Sequence, residues 1–127
     1  MLFRSYQWAA ADSLAQVVNR ARSRLAPLDR HLLDWVLNNT RGDTGAALEA
    51  IRNAVDVAPG SEVLLLLGMS AIGANRPAEA LDALAKLDPE KGLARGFFLY
   101  WSYVTGALHM LGRFDEELEA ARRGRRQ

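Results

Sequence analysis

The sequence predicts an all-α protein, built as a stack of antiparallel helix hairpins. Apolar residues recur at spacings of three and four along most of the 127 residues, and no segment keeps the period of two that marks a half-buried strand. A turn signature recurs at Arg41-Gly42-Asp43, Ala74-Asn75-Arg76 and Leu111-Gly112-Arg113-Phe114, each time followed by a stretch rich in Ala, Leu and Glu. Gly42 and Asn75 stand 33 positions apart, Asn75 and Gly112 37 apart. A period in this range signals stacked helical hairpins. The length suits one domain, residues 1–127.

The elements follow in order. A leading helix is predicted over 7–25, with Trp8, Ala11, Leu14, Ala15, Val18, Ala21 and Leu25 as its apolar stripe. Ala26-Pro27 ends it, since proline disfavours helix at the residue before it and suits the first turn of the next. The second helix runs from Pro27 to Thr40 on Leu28, Leu32, Leu33, Val36 and Leu37. Asp43 or Thr44 caps a third helix through Val57, with Ala47, Leu48, Ile51, Ala54 and Val55 inward. Ala58-Pro59-Gly60 stops it. Ser61 is placed to cap a fourth helix, about 62–74, apolar nearly all round and so expected mid-stack. Pro77 opens a fifth, about 77–87, burying Ala80, Leu81, Leu84 and Leu87. Asp88 to Gly96 forms an irregular joint. An aromatic sixth helix is predicted over about 94–111, and a seventh over 113–124, acids first and arginines last. Glu119 and Arg123 are spaced as an i,i+4 pair. The hairpins thus span about 27–58, 61–88 and 93–125.

Composition excludes several classes. The chain has 16 basic and 15 acidic residues, with neither half biased, so no global field draws it to nucleic acid or anionic membrane. No apolar run approaches the roughly 20 residues of a membrane span. No cysteine is present, which excludes disulfides and thiolate chemistry and fits a reducing, cytoplasmic setting. The N-terminus lacks a secretory core. Its Arg4, Arg20, Arg22 and Arg24 with interspersed serines resemble an amphipathic transit peptide, a reading ranked below that of a surface helix. The Ala-Arg bias suits a bacterial source with GC-rich codons.

The hairpins resemble tetratricopeptide repeats (TPR). Residues 28–61 match best: Gly42-Asp43 falls at the inter-helix turn, Ala47 and Ala54 at small second-helix positions, Ile51 at the large one and Pro59 at the closing proline. Residues 61–89 match with Gly68, Ala80, Leu84 and Leu87, but Pro89 comes three residues early, leaving the second helix about a turn short. Residues 98–126 match through Trp101, Gly112 and Phe114, with Glu117 and Thr105 departing from the pattern. Residues 7–25 look like the second helix of a hairpin lacking its first. The resemblance implies a right-handed superhelix that binds a protein or peptide on its concave face. Similar arrays occur as C-terminal regions of larger bacterial signalling proteins, so a regulatory or sensory segment of a kinase or transcriptional regulator is the alternative.

The implied groove positions are Leu32, Val36 and Asn39, then Leu65, Met69 and Ile72, then Ser102 and His109. A strip of this kind suits a partner helix or extended peptide, unless a terminal helix or a second copy covers it. The lysines and asparagines with which some family members clamp a peptide carboxylate are replaced by Leu32, Val36 and Leu65, so that binding mode is not expected. Trp8, Phe98 and Tyr100 are the candidate interface aromatics, while Phe97, Trp101 and the aliphatic Val104 are expected in the core. The unpartnered first helix, with Trp8, Leu14 and Val18, predicts a homodimer through that end.

No enzyme signature is met. Gly68-Met69-Ser70-Ala71-Ile72-Gly73 has one residue too many for a nucleophile elbow and lies within a helix; its small residues are expected to permit close helix approach. His31 and His109, the only histidines, lack zinc-site spacing. No catalytic residue, metal or cofactor is expected. Arg122, Arg123, Arg125 and Arg126 form a basic end without interleaved aromatics, the mark of a solvated helix terminus more than of a nucleic-acid accessory domain. A non-catalytic scaffold is therefore expected, with its partner at the groove beside the Asp88–Gly96 joint.

Overall fold

Among the described residues the apolar stripes wind into seven α-helices: α1 (Leu2–Arg20), α2 (Pro27–Thr40), α3 (Thr44–Val57), α4 (Ser61–Gly73), α5 (Pro77–Ala85), α6 (Leu99–Met110) and α7 (Phe114–Arg125). The computed structural model describes the backbone of residues 2–97 and 99–126, and the side chains of these apart from 2–8 and 61. Among the described residues there is no strand, and no helix is long and apolar enough to cross a membrane. The chain divides into two compact units, Met1–Ala58 and Pro59–Gln127. The division falls at the predicted Ala58-Pro59-Gly60 break. Within each unit the helices pack chiefly on their neighbours in sequence, α1 on α2 on α3 in the first and α4 on α5 on α6 on α7 in the second.

One turn geometry closes all three hairpins. Gly42, Asn75 and Gly112 take left-handed φ values of 75°, 59° and 71°, which glycine adopts freely and asparagine tolerates. Each N–H donates to a carbonyl of the preceding helix, Asn39, Ile72 and His109 respectively, at 3.0–3.1 Å. The next residue then donates further back, Asp43 to Asn38, Arg76 to Ala71 and Arg113 to Leu108. This pair of bonds is the Schellman cap, which satisfies the last carbonyls of a helix. The following helix begins two residues after the left-handed position in every case. Asp43 also accepts from Ala46 N at 2.9 Å, the predicted cap of α3.

In the first unit, α2 and α3 carry the apolar contact. Leu33 and Leu37 of α2 are buried, as are Ala47, Leu48, Ala50, Ile51 and Ala54 of α3. The small residues let the helices approach closely, and Ile51 is fully buried, while Leu33 and Leu37 cluster with Ala15 of α1. α1 corrects the sequence reading in two ways. It stops at Arg20, after which Arg22–Arg24 form a 3₁₀ turn, so it does not reach residue 25. Its rotation also differs: of the predicted stripe Ala15 is buried, while Leu14 and Val18 are exposed. Polar contacts to α2 set that rotation. Thr40 Oγ1 donates to Asp12 at 3.3 Å. Arg22 donates to both carboxylate oxygens of Asp34 at 2.6 Å and to Asn19 at 3.3 Å. With Asp12 and Ala15 toward α2, the larger apolar residues face out.

In the second unit, Gly60 rather than Ser61 stands at the N-cap of α4, its carbonyl accepting from Leu64 N at 3.0 Å. A Cβ on Gly68 would lie 2.8 Å from Leu84 Cγ and Cδ2, so close approach of α4 and α5 requires glycine there, as the sequence suggested. Gly73 shows no such neighbour. α5 ends at Ala85, short of the predicted Leu87, through i→i−3 bonds from Lys86 to Ala83 and Leu87 to Leu84. The approach to Pro89 tightens this last turn. The predicted sixth helix, about 94–111, starts late. Gly92–Ala94 is a 3₁₀ turn, Arg95 is extended, Gly96 has φ 78°, and α6 begins at Leu99.

Candidate functional site

A cleft of about 630 Å³ lies between α5, α6 and α7, beside the short, nine-residue α5. Leu81, Leu84 and Leu87 line one wall and Trp101, Val104 and Leu108 another. These α6 residues recur at threes and fours, one face of the helix. Arg113, Glu116, Glu119 and Arg123 of the α7 segment form a charged rim, with Asp82 opposite on α5. The cleft reaches Leu87 and Pro89, at the edge of the predicted irregular joint.

The rim charges are held by their neighbours. Arg113 donates from Nε and Nη2 to the two Glu116 oxygens at 2.5 and 2.6 Å. The hydrogen bonds and opposite charge raise the Arg113 pKa and lower that of Glu116. The Arg123 guanidinium lies 4.8 Å from the Trp101 ring centroid, a cation–π contact. This, rather than the Glu119 pair predicted from spacing, is where Arg123 goes. Gly124 makes it possible: a Cβ there would lie 2.8 Å from Trp101 Cβ and 2.9 Å from Cγ.

Tyr100 corrects an expectation. Predicted as an interface residue, it is 5% exposed. Its hydroxyl donates to the Leu84 carbonyl at 3.2 Å, and its ring meets Trp101 edge-on at 5.1 Å. It therefore pins α6 to the C-terminal end of α5 and floors the cleft. Burial, opposed by Arg123 and aided by Asp88, raises its pKa above 10.0. A group raised in the folded state contributes its full stability below its unfolded pKa and loses it as pH rises through the folded value. Tyr100→Phe should thus cost about 1 kcal/mol at neutral pH. It should also remove part of the alkaline loss of stability above pH 10.0, seen by urea titration across that range. An unchanged alkaline limb would show that another group titrates there.

The predicted groove residues fall elsewhere. Leu32, Val36 and Asn39 lie on α2 in the first unit, all half-buried. Val36 packs against the Ala15, Leu33 and Leu37 cluster, and the Asn39 side chain donates back to Trp35 O. In the second unit Leu65 is buried at 5%, a core residue and not an open groove position, because α4 lies against both α5 and α6. Met69 and Ile72 are half-buried. Ser102 and His109 are exposed, on a different face of α6 from the cleft. His109 Nδ1 lies 3.0 Å from Glu117 and its ring 5.5 Å from that of Phe114, so it joins α6 to α7. None of the eight lines the cleft. Of the core aromatics, Trp101 is half-buried in the cleft wall and Phe97 is half-buried. Phe98 and the side chain of Trp8 lie outside the described residues.

Among the described residues no cluster of three His, Cys, Asp or Glu could hold a metal. The cleft offers an apolar wall with mixed charges at its edge. Comparison with protein-family models, curated proteins and solved structures found no match for this chain.

Proposed function

We propose that the chain is a non-catalytic, TPR-like binding module that takes up a short segment of another protein, with the cleft of the second unit as its site. The carrying observation is that cleft, where the half-buried Trp101 and Val104 stand beside a charged rim. Three identically capped hairpin turns support the repeat reading. The occupant suited to this geometry is an amphipathic segment, apolar on one side. Asp82 and Glu119 stand at the rim, and the bound segment carries a cationic side chain to meet them.

Peptides selected from a random display library on the intact chain test this. They should be enriched in apolar residues with Lys or Arg. The exposed rim double variant Asp82→Lys/Glu119→Lys should weaken them about tenfold or more, the scale of two reversed charge contacts. Equal affinity for both versions would remove the cleft as the site. Leu65→Glu is unsuited to the purpose, since a charge at that buried position reports folding.

A further inference from the structure

Part of the cleft wall is covered by a cation of the chain itself. The Arg123 guanidinium stands 4.8 Å from the Trp101 ring centroid, and tryptophan is the side chain that attracts cations most strongly through its face. Both residues line the cleft. Other contacts fix the ring. Tyr100 meets it edge-on at 5.1 Å and 88°, and α7 approaches so closely that a Cβ on Gly124 would lie 2.8 Å from Trp101 Cβ. Neither contact involves the Arg123 side chain, so the ring keeps its place when that side chain leaves.

Arg123 is loosely held. It is exposed, and a cation–π contact at an exposed site is weak and open to competition. Glu119 stands one turn earlier on the same face of α7, at the i,i+4 spacing that lets it receive the released guanidinium.

The charge around the ring suits a cation. Arg113 is spent on Glu116. Asp82 and Glu119 line the same cleft, and neither carboxylate is held in a hydrogen bond or ion pair among the described residues. With Arg123 turned outward, the lining keeps Asp82, Glu116 and Glu119 against Arg113. An acidic ligand would meet three carboxylates and find both arginines already engaged.

We propose that the Trp101 face is a cation subsite, filled by Arg123 in the free protein and by a lysine or arginine side chain of the bound segment. Arg123 is an internal competitor, and its hold on the ring lowers the affinity for cationic ligands. This rests on the cleft being the binding site, and it names the ring that reads the ligand's charge and the residue that guards it.

Titration of the intact 127-residue chain with n-butylammonium chloride, the lysine side chain alone, tests the subsite by NMR. 1-Butanol serves as the uncharged twin, and sodium chloride matches the ionic strength. The Trp101 indole N–H signal, identified by its loss in Trp101→Phe, reports occupancy. Butylammonium should shift it with saturation. Arg123→Ala should lower the half-saturating concentration about two- to fivefold, the worth of an exposed cation–π contact, with a smaller change for 1-butanol. Arg123→Lys should return it to the wild-type value. Arg122→Ala removes the same charge from an exposed position outside the cleft lining, and should leave it nearly unchanged. Helical circular dichroism checks that each variant folds. No saturable shift in Arg123→Ala, an equal gain in Arg122→Ala, or an equal gain for 1-butanol would each overturn the subsite. The library-selected peptides separate this from the wider reading. Those carrying Lys or Arg should bind Arg123→Ala about two- to fivefold more tightly. Peptides that lose affinity in the Asp82→Lys/Glu119→Lys variant yet bind Arg123→Ala no better than wild type would keep the cleft as the site and sink the subsite. A butylammonium gain with no peptide selected would uphold the subsite and remove the peptide reading.

Discussion

Replacing Gly68 by alanine is expected to destabilise the protein by about 2 kcal/mol, read as a lower urea midpoint at unchanged slope. The sign makes this informative. In the middle of an exposed helix the same change stabilises by up to about 1 kcal/mol, because glycine loses more backbone freedom on folding. At Gly68 the new Cβ would sit 2.8 Å from two atoms of Leu84. Leu84 is 1% exposed, and its carbonyl is bonded by Tyr100, so its backbone is tethered and its side chain can yield only toward the cleft it lines. Either that side chain leaves its packed position or α4 and α5 part, and overpacking of this kind costs about 1–3 kcal/mol. Leu84→Ala alone should cost about 3 kcal/mol as a cavity. In the double variant the alanine at position 68 gains room, so its penalty should vanish or reverse. A coupling of about 1–3 kcal/mol between the two changes is expected. Strict additivity, or a stabilised Gly68→Ala, would mean the helices are not in this contact.

The parts of the fold legible in the sequence are those with signals at both ends. α2 and α3 run as predicted because Pro27, Gly42-Asp43 and the Ala58-Pro59-Gly60 break define their limits locally. The break at Asp88–Gly96 was legible for the same reason. Its internal 3₁₀ turn and the late start of α6 were not, because Ala94 to Leu99 reads as helix until Gly96 adopts its left-handed conformation. The rotation of α1 was illegible for a different cause. Apolar periodicity weighs Ala15 and Leu14 alike, and the choice between them is made by Asp12–Thr40 and Arg22–Asp34, contacts 28 and 12 residues apart in sequence. Tyr100 shows the same limit. A tyrosine suits an interface or a core with a hydroxyl acceptor, and only the placement of the Leu84 carbonyl decides. The site was foreshadowed by the early Pro89, which shortens α5. Its rim was not: Glu119 and Arg123 fit an intrahelical pair, and the Gly124–Trp101 approach that draws Arg123 onto the ring depends on helix packing.

The other large expected effect lies in the first unit. Ile51→Ala should cost about 3–4 kcal/mol, and Ile51→Val about 1 kcal/mol. Ile51 is 0% exposed, and the α3 positions one turn before and three residues after it, Ala47 and Ala54, are 1% and 0% exposed. Ala47 and Ala54 are too small to reach into the space left by the shortened residue, and Leu48, the long neighbour on α3, is itself packed at 3% exposed. A site that cannot collapse keeps its cavity, and the cost rises toward the upper end for a buried isoleucine. Helix propensity opposes this by only a few tenths of a kcal/mol in favour of alanine. Val57→Ala, on the same helix but 48% exposed, should change stability by less than about 0.5 kcal/mol and so controls for the helix itself. Urea unfolding followed by circular dichroism measures all three. If Ile51→Ala costs no more than Val57→Ala, Ile51 is not the packed core residue its burial implies. A value near 1.5 kcal/mol would instead show that the surroundings of Ile51 move in to close the gap, with the alanines acting as a sliding surface rather than a fixed spacer.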